Sequence, residues 1–143
     1  MLVRDAMTTT ILEVGPAHTL RQAASQMAAR KVGSAVVHDP DGNGHAIITE
    51  RDVLLAVAQG LDLDAVHVGD HVGSSVVYAS PEWSLDDAAD AMARGRFRHL
   101  MVVDGADVVG VVSVRDVIHA WAQERSGESR RGRDADASAV GTA

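Results

Sequence analysis

The sequence contains no cysteine, a single lysine and very few aromatic residues. Without cysteine, the chain has no disulfide bonds, no thiol nucleophile and no zinc site built from thiolates. Phe, Tyr and Trp make up only 3% of the residues, so the core must be built from aliphatic side chains. The sequence also lacks a P-loop and a GxSxG nucleophile motif. We therefore predict that the protein is not an enzyme.

Long hydrophobic runs are absent as well. A membrane helix needs about 20 predominantly apolar residues in succession, and no stretch of the chain approaches that length. The first residues, MLVRDAMTT, carry charges where a signal peptide is apolar. We predict a cytoplasmic protein with no membrane partner. The formal net charge of −7 argues against general nucleic-acid binding, because such binding depends on neutralising phosphates.

An internal repeat is the main feature that the sequence does contain. Arg51-Asp52-Val53 and Arg115-Asp116-Val117 lie 64 positions apart within the 143 residues, and each follows an apolar stretch. Upstream, Pro16–Leu20 recurs as Pro81–Leu85 at an offset of 65. The lost residue falls in the turn DPDGNG (39–44), which is shorter in the second copy. Surface turns tolerate such deletions, so we interpret the pattern as a duplication.

Each copy is predicted to fold as β-α-β-β-α. From Leu20 onward, apolar residues recur at i, i+3, i+4, i+7 and i+8, the pattern of a helix with one buried face. Thr19 and Gln22 form a capping box at its start. The predicted elements are Ile11–Val14, a helix from about Leu20, Ser34–His38, His45–Thr49 and Glu50–Gln59, then Val76–Ala79, Leu85–Arg94, Leu100–Val103, Val108–Val112 and Val114–Gln123. The predicted fold class is therefore α+β.

The repeat also sets the predicted domain boundaries. We place the first repeat at residues 1–62 and the second at residues 63–123. A unit of about 60 residues has too little interior to be comfortably stable alone, so the two repeats are expected to pack together. From Glu124 the sequence is polar and has no period. We predict a disordered tail over residues 124–143.

Taken in order, five stretches resemble a known family. Two β-α-β-β-α units, each ending in a strand, a Ser/Thr-x-x-Asp motif and a helix, resemble tandem CBS domains (cystathionine β-synthase domains), a pair also called a Bateman module. The stretches that carry the resemblance are Val3–Met7, Gly33–Val37, Ile47–Asp52, Arg98–Asp104 and Gly110–Asp116. Their order and matching spacing make the resemblance specific.

The resemblance implies both a shape and a function. In this family the two repeats pack around a pseudo-two-fold axis and leave two clefts between them. Many members bind AMP, ADP, ATP or S-adenosylmethionine there as a regulatory ligand, and most are not catalytic. Modules commonly pair into disc-shaped homodimers. For this chain the resemblance implies a regulatory module that requires no cofactor, binds an adenosine ligand and signals in trans to an effector protein that is not identified.

Two Ser/Thr-x-x-Asp motifs are the first candidate site residues. Thr49-x-x-Asp52 and Ser113-x-x-Asp116 each begin a predicted helix, and as capping boxes they need no ligand. Each junction also leaves an apolar strand for a helix N-terminus, whose N–H groups favour anions. The resemblance assigns both Asp residues to ribose hydroxyls, and the Thr and Ser to sugar or phosphate. Both interpretations stay open from the sequence.

Basic residues accompany these motifs. Arg51 and Arg115 can each bind phosphate through two hydrogen bonds, or can pair with an acid on the first helical turn. Arg98-His99 precedes a predicted strand of the second repeat, where related nucleotide-binding members often carry phosphate-contacting His and Arg. The first repeat has uncharged Gly33-Ser34 at the matching positions. We therefore expect the better cleft to contain Asp116, Ser113 and Arg98-His99.

The remaining predicted contacts come from the resemblance alone. Segments before the strands, Thr10–Leu12 with Gly33–Ala35 and Ser75–Val77 with Arg98–Leu100, are implied to enclose adenine. The predicted ligand-binding residues are Asp116, Ser113, Arg115, Arg98, His99, Asp52, Thr49, Arg51, Gly33, Ser34, Thr10, Leu12 and Val77.

Two other classes of function compete with the nucleotide sensor. The same fold with empty clefts would be an interaction scaffold, which predicts a dimer indifferent to nucleotides. His67 and His71, spaced i, i+4, would suit a metal site on a helix, and a small metal enzyme would follow from it. The glycine between them and the repeat itself favour a packing role for this stretch. We therefore predict no catalytic and no metal-binding residues.

Overall fold

The structure is a computed structural model that describes residues 1–38, 44–72 and 77–140, with side chains described to residue 127. The predicted turn at 39–44, apart from Gly44, and the first residue of the strand predicted at Val76 lie outside the described residues. Within the described ranges, no helix combines the length and the apolar character needed to cross a membrane.

The first repeat has the predicted element order. A short helix at the N-terminus precedes it. The elements are α1 (Val3–Ala6), β1 (Glu13–Val14), α2 (Leu20–Arg30), β2 (Ser34–His38), β3 (His45–Thr49) and α3 (Glu50–Ala58). The capping box predicted for α2 is present, since Thr19 Oγ1 accepts from the Gln22 N–H at 3.1 Å and Gln22 Oε1 accepts from the Thr19 N–H at 2.9 Å.

The second repeat has the same order. After a single 3₁₀ turn at Val68–Asp70, its elements are β4 (Tyr78–Ala79), α4 (Leu85–Gly95), β5 (His99–Asp104), β6 (Asp107–Ser113) and α5 (Val114–Val140). Each repeat forms a three-stranded sheet in which the first strand is parallel to the second and the second is antiparallel to the third. The α+β fold class predicted from the sequence is confirmed.

Three apolar clusters hold the described structure together. One lies inside each repeat, beneath the helix that follows its first strand. The third lies between the repeats, where Val36 of β2 and Met101 of β5 are both fully buried beside Val111. Val36 and Met101 occupy equivalent positions of the duplication. The two sheets therefore meet around a pseudo-two-fold axis, and each repeat covers apolar surface that the other would expose.

The repeats exchange the segments that open them. Val3 of α1 is fully buried in the core of the second repeat, and its N–H donates to the Trp83 carbonyl at 2.8 Å. Reciprocally, Val68 is fully buried in the core of the first repeat, and its N–H donates to the His18 carbonyl at 2.8 Å. Neither core is complete without residues from the other half of the chain.

Several elements differ from their predicted bounds by one residue at an end, and β1, β4 and α5 differ more. The strand predicted over Val76–Ala79 begins at Tyr78 in the described residues. The strand expected over Ile11–Val14 is reduced to Glu13–Val14, because only these two residues pair in register with β2. Helix α5 does not end at Gln123 but continues to Val140, where the sequence had predicted a disordered tail from residue 124. This stretch contains no proline, and its Ala, Arg and Glu residues favour helix, whereas Gly127 and Gly132 disfavour it without ending it.

Candidate functional site

A cleft opens between the two repeats beside the start of helix α5. Its volume is about 1060 Å³, at the upper end of the roughly 300–1,000 Å³ common for small-molecule sites. One wall comes from the first repeat, at the segment before β1 and the start of β2. The other comes from the second repeat, at the start of β5 and the β6–α5 junction. A molecule bound here would touch both repeats.

Nine of the thirteen predicted site residues line this cleft. They come from four separate segments that the sequence alone does not bring together. The nine are Thr10, Leu12, Gly33, Ser34, Arg98, His99, Ser113, Arg115 and Asp116. The predicted grouping of Asp116 and Ser113 with Arg98 and His99 is thus present in the geometry.

Asp116 divides its two carboxylate oxygens between two roles. Oδ2 accepts from the Ser113 N–H at 2.9 Å, and the Asp116 N–H donates to Ser113 Oγ at 3.1 Å, which completes the capping box of α5. Oδ1 has only a long contact of 3.5 Å from the Thr8 hydroxyl. Capping therefore does not use up the hydrogen-bonding capacity of this carboxylate, and the two interpretations of the motif are compatible.

His99 lines the cleft and lies beside Gly33. Its Nδ1 atom is buried and has no hydrogen-bond partner among the described residues. A Cβ on Gly33 would lie 3.3 Å from His99 Nε2 and 3.2 Å from Glu50 Oε1, so the imidazole, the carboxylate and the glycine backbone converge on one point. Burial lowers the pKa of His99, an effect partly offset by the Glu50 and Asp116 carboxylates and reinforced by Arg98. The neutral imidazole is therefore favoured.

The charges lining the cleft differ from those of the whole chain. Lys31, Arg98 and Arg115 line it together with the acids Glu50 and Asp116, whereas the chain carries a net charge of −7. Within the described residues, the ion pairs join other side chains, and neither Arg98 nor Arg115 takes part in one. The ion-pair alternative considered for Arg115 thus finds no acidic partner there. The local excess of basic groups suits an anion.

Comparison with known proteins identifies the family. The family model of the CBS domain matches the chain twice, over residues 3–59 and 68–123. The chain belongs to the CBS domain family. Its two matched segments contain every predicted site residue, and they coincide with the two repeats of the structure.

Individual relatives support the same assignment. The CBS domain-containing protein YhcV of Bacillus subtilis is 33% identical over 129 residues, which cover 89% of this chain and 91% of the relative. A CBS-domain containing protein of Agrobacterium tumefaciens has a TM-score of 0.76 at 33% identity, covering 83% of this chain and 92% of that one. A CBS domain protein of Pyrobaculum aerophilum, solved in complex with AMP, has a TM-score of 0.73 at 31% identity, covering 81% of this chain and 89% of that one.

Four predicted residues lie outside the described cleft. Thr49, Arg51 and Asp52 begin helix α3 of the first CBS repeat, where Asp52 Oδ2 accepts from the Thr49 N–H at 2.8 Å. Val77 precedes β4. The second cleft implied by the resemblance also includes Ser75 and Val76, which lie outside the described residues. Asp52 thus has the same capping geometry as Asp116 without being part of the cleft.

Three polar residues of the cleft were missed by sequence reasoning. Lys31, the only lysine, follows α2 in a left-handed conformation with φ of 55°. Its repeat counterpart Arg96 has the same conformation with φ of 57°. A basic residue at the same position of both repeats is a sequence signal that could have identified Lys31 as a cleft residue. Glu50 lies between the predicted residues Thr49 and Arg51, but no local sequence pattern indicated that its side chain reaches Gly33. Thr8 lines the cleft because the N-terminal segment crosses to the second CBS repeat, where Thr8 pairs with Val111.

His67 and His71 do not have the α-helical arrangement that their i, i+4 spacing suggested. Val68–Asp70 forms a 3₁₀ turn rather than an α-helix, so the two histidines do not stack on one helical face. No group of three or more potential metal ligands occurs among the described residues. The stretch instead supplies Val68 to the core of the first CBS repeat.

Proposed function

We propose that this CBS pair is a regulatory module that binds an adenine nucleotide, or another adenosyl ligand, in the cleft beside Asp116. One observation carries the proposal. The cleft joins an Asp with an under-used carboxylate oxygen to three basic side chains and to backbone segments of both repeats. A ribose diol needs a hydrogen-bond acceptor, and a phosphate needs basic donors.

The ribose, the phosphate and the base of such a ligand each have a suitable group of residues in the cleft. Asp116 Oδ1 would accept from a ribose hydroxyl in place of the long contact with Thr8. Arg115, at the N-terminus of α5, would meet the phosphate together with the N–H groups of the first helical turn. Ile11 and Leu12 offer an apolar wall for the base. The AMP complex of the Pyrobaculum relative supports the choice of an adenine nucleotide.

Signalling would follow from linkage between the repeats. A ligand that contacts both walls of the cleft stabilises one arrangement of the two repeats, and thereby changes the affinity of a partner protein that prefers one arrangement. The exchange of α1 and of the Val68 segment ties the repeats together, so a change at one wall reaches the core of the other. The proposed output is binding to a separate effector protein.

Thermal unfolding of the full chain with AMP, ADP, ATP, S-adenosylmethionine or GTP tests the proposal. A ligand that binds only the folded state adds about 2.7 kcal/mol when present at 100 times its dissociation constant. We expect an upward shift with at least one adenosyl ligand and its loss in Asp116→Ala.

Asp52→Ala is the matched control for this experiment. It removes the same type of cap from α3 and should cost similar stability, about 1 kcal/mol, while leaving the ligand shift intact. A folded protein whose unfolding temperature responds to none of these ligands would replace the proposal with the ligand-free scaffold. An equal loss of response in both variants would assign the effect to helix capping rather than to ligand contact.

We further infer that the chain forms a homodimer through helices α3 and α5. Leu54 and Val57 are 65% and 55% exposed, and their repeat counterparts Ile118 and Trp121 are 58% and 39% exposed. Apolar residues at this spacing form a stripe on each helix. The two stripes are related by the same pseudo-two-fold symmetry as the repeats, which suits a self-complementary interface between two copies.

Sedimentation or light scattering measures the mass of the protein in solution and so tests the homodimer directly. The wild-type chain of 15.0 kDa should have twice that mass in solution, and Leu54→Glu combined with Val57→Glu should be monomeric. Tyr78→Glu is the control, because Tyr78 is 44% exposed but belongs to β4 rather than to α3 or α5. A monomeric wild type, or a dimer that survives the double substitution, would contradict the inferred interface.

A further inference from the structure

Two histidines face each other across the β2–β3 hairpin, away from the cleft. His38 ends β2 and His45 begins β3, and the two residues are directly opposed in the antiparallel register. His38 Nδ1 and His45 Nε2 are 3.0 Å apart, and the ring centroids are separated by 4.8 Å with the planes tilted by 37°. The rings are therefore not stacked, and each directs one nitrogen at the other.

This distance equals the separation of two imidazole nitrogens that share a metal ion. With metal–nitrogen bonds of about 2.0–2.1 Å, two neighbouring ligand nitrogens lie about 2.8–3.4 Å apart for angles between square-planar and tetrahedral. A single N–H···N hydrogen bond also gives this distance. That hydrogen bond is weakly favoured here because His38 is exposed and its imidazole can bond to water instead.

We propose that His38 and His45 form a binding site for a divalent transition-metal ion of the class that prefers imidazole, such as Zn²⁺. Within the described part of the chain no third His, Asp or Glu joins them, so the two imidazoles are the metal ligands that the described residues supply. Mg²⁺ and Ca²⁺ are disfavoured, because they require oxygen ligands.

The backbone preorganises the pair. Five successive residue pairs, from Ser34 with Thr49 to His38 with His45, fix the relative position of the two strands. His45 is held further by the Tyr78 hydroxyl of the second CBS repeat, which donates to its carbonyl at 3.2 Å. Little backbone freedom is therefore lost when the ion binds. The net charge of −7 also raises the local concentration of cations.

Zn²⁺ titration of the untagged full chain by calorimetry tests the site. At pH 7.5 we expect a saturable site with one ion per chain, because imidazoles bind metal only when neutral. Protons compete with the ion for the imidazole nitrogens, so binding should weaken when the titration is repeated at pH 5.5. His38→Ala and His45→Ala should each weaken binding by more than about tenfold, since loss of even an outer-sphere partner costs about 10–100-fold.

His67→Ala is the matched control, because His67 is exposed and belongs to the other histidine pair considered from the sequence. It should leave the affinity unchanged, and the imidazole NMR signals of two histidines should shift with Zn²⁺ in the wild type. Absence of saturable binding, equal binding by His38→Ala, or loss of binding in His67→Ala would each overturn the proposal. None of these outcomes bears on nucleotide binding, since neither histidine lines the cleft.

Discussion

Among the described residues, His99 is the one whose charge state is most strongly set by its surroundings. Burial lowers its pKa, Glu50 and Asp116 raise it, and Arg98 lowers it. Since the pKa in the folded state lies below that in the unfolded state, the unfolded chain binds the proton first as the pH falls. The folded protein should therefore lose stability as the pH falls through about 6.5, the ordinary histidine value, toward the lower pKa of the folded state.

Glu50→Gln should lower the pKa of His99 further. The substitution keeps the size of the side chain and removes one of the two negative charges that oppose the effect of burial. An NMR titration of the His99 imidazole measures the shift directly. The loss of stability between pH 7 and 5.5 should also be larger than in the wild type.

Arg98→Gln provides the control of opposite sign. It removes a positive charge that lowers the pKa of His99, so this variant should titrate at higher pH than the wild type. Shifts in the same direction for both variants, or no shift for Glu50→Gln, would show that neighbouring charges do not set the protonation of His99.

At the scale of the elements, helix caps separate structural from ligand-binding roles. Ser84 Oγ accepts from the Asp87 N–H at 3.0 Å at the start of α4, and Ser113 Oγ accepts from the Asp116 N–H at 3.1 Å at the start of α5. Ser84→Ala and Ser113→Ala should each lower the free energy of unfolding by about 0.5–2 kcal/mol. Only the second should also weaken binding of the proposed ligand.

Chemical denaturation of the two variants, with and without the ligand identified by thermal unfolding, makes this comparison. Ser84 does not line the cleft, so a reduced ligand response in Ser84→Ala would mean that general destabilisation alone lowers affinity. Ser113→Ala with full ligand affinity would restrict Ser113 to capping.

Locally specified elements were predictable, and elements fixed by distant partners were not. β2 and β3 have the predicted bounds, Ser34–His38 and His45–Thr49, because apolar β-branched residues and flanking turn residues act within a few positions. Ile11 and Leu12, predicted as strand, instead line the cleft. Helix α5 also extends beyond its predicted end at Gln123 to Val140, although the sequence after Gln123 is polar and has no helical period.

The same limit applies to the candidate site. The duplication indicated Asp116, Ser113 and Arg115, because a repeated strand-to-helix junction is visible in the sequence. The convergence of Glu50 with His99 at Gly33 depends on how the repeats pack, and no local pattern encodes it. Thr8 reaches the cleft only because the N-terminal segment pairs with the second CBS repeat.

At the scale of the whole molecule, the exchanged segments make the two CBS repeats interdependent. Val3 fills the core of the second repeat and Val68 fills that of the first, and both are fully buried. Removing two buried methyl groups costs about 1.5–3 kcal/mol once transfer and cavity terms are combined. Unfolding of one repeat also withdraws the segment that completes the other, so the pair should unfold in one cooperative transition.

Val3→Ala should therefore weaken the second CBS repeat, although Val3 precedes the first in the chain. We expect denaturant unfolding to remain a single transition at a lower midpoint with unchanged slope. Native-state hydrogen exchange should accelerate first at amides of α4 and β5, which pack around Val3. Val68→Ala is the mirror control and should first affect α2 and β2. Separate transitions for the two repeats, or faster exchange in α2 for Val3→Ala, would show that each repeat is stabilised by its own segment of the chain.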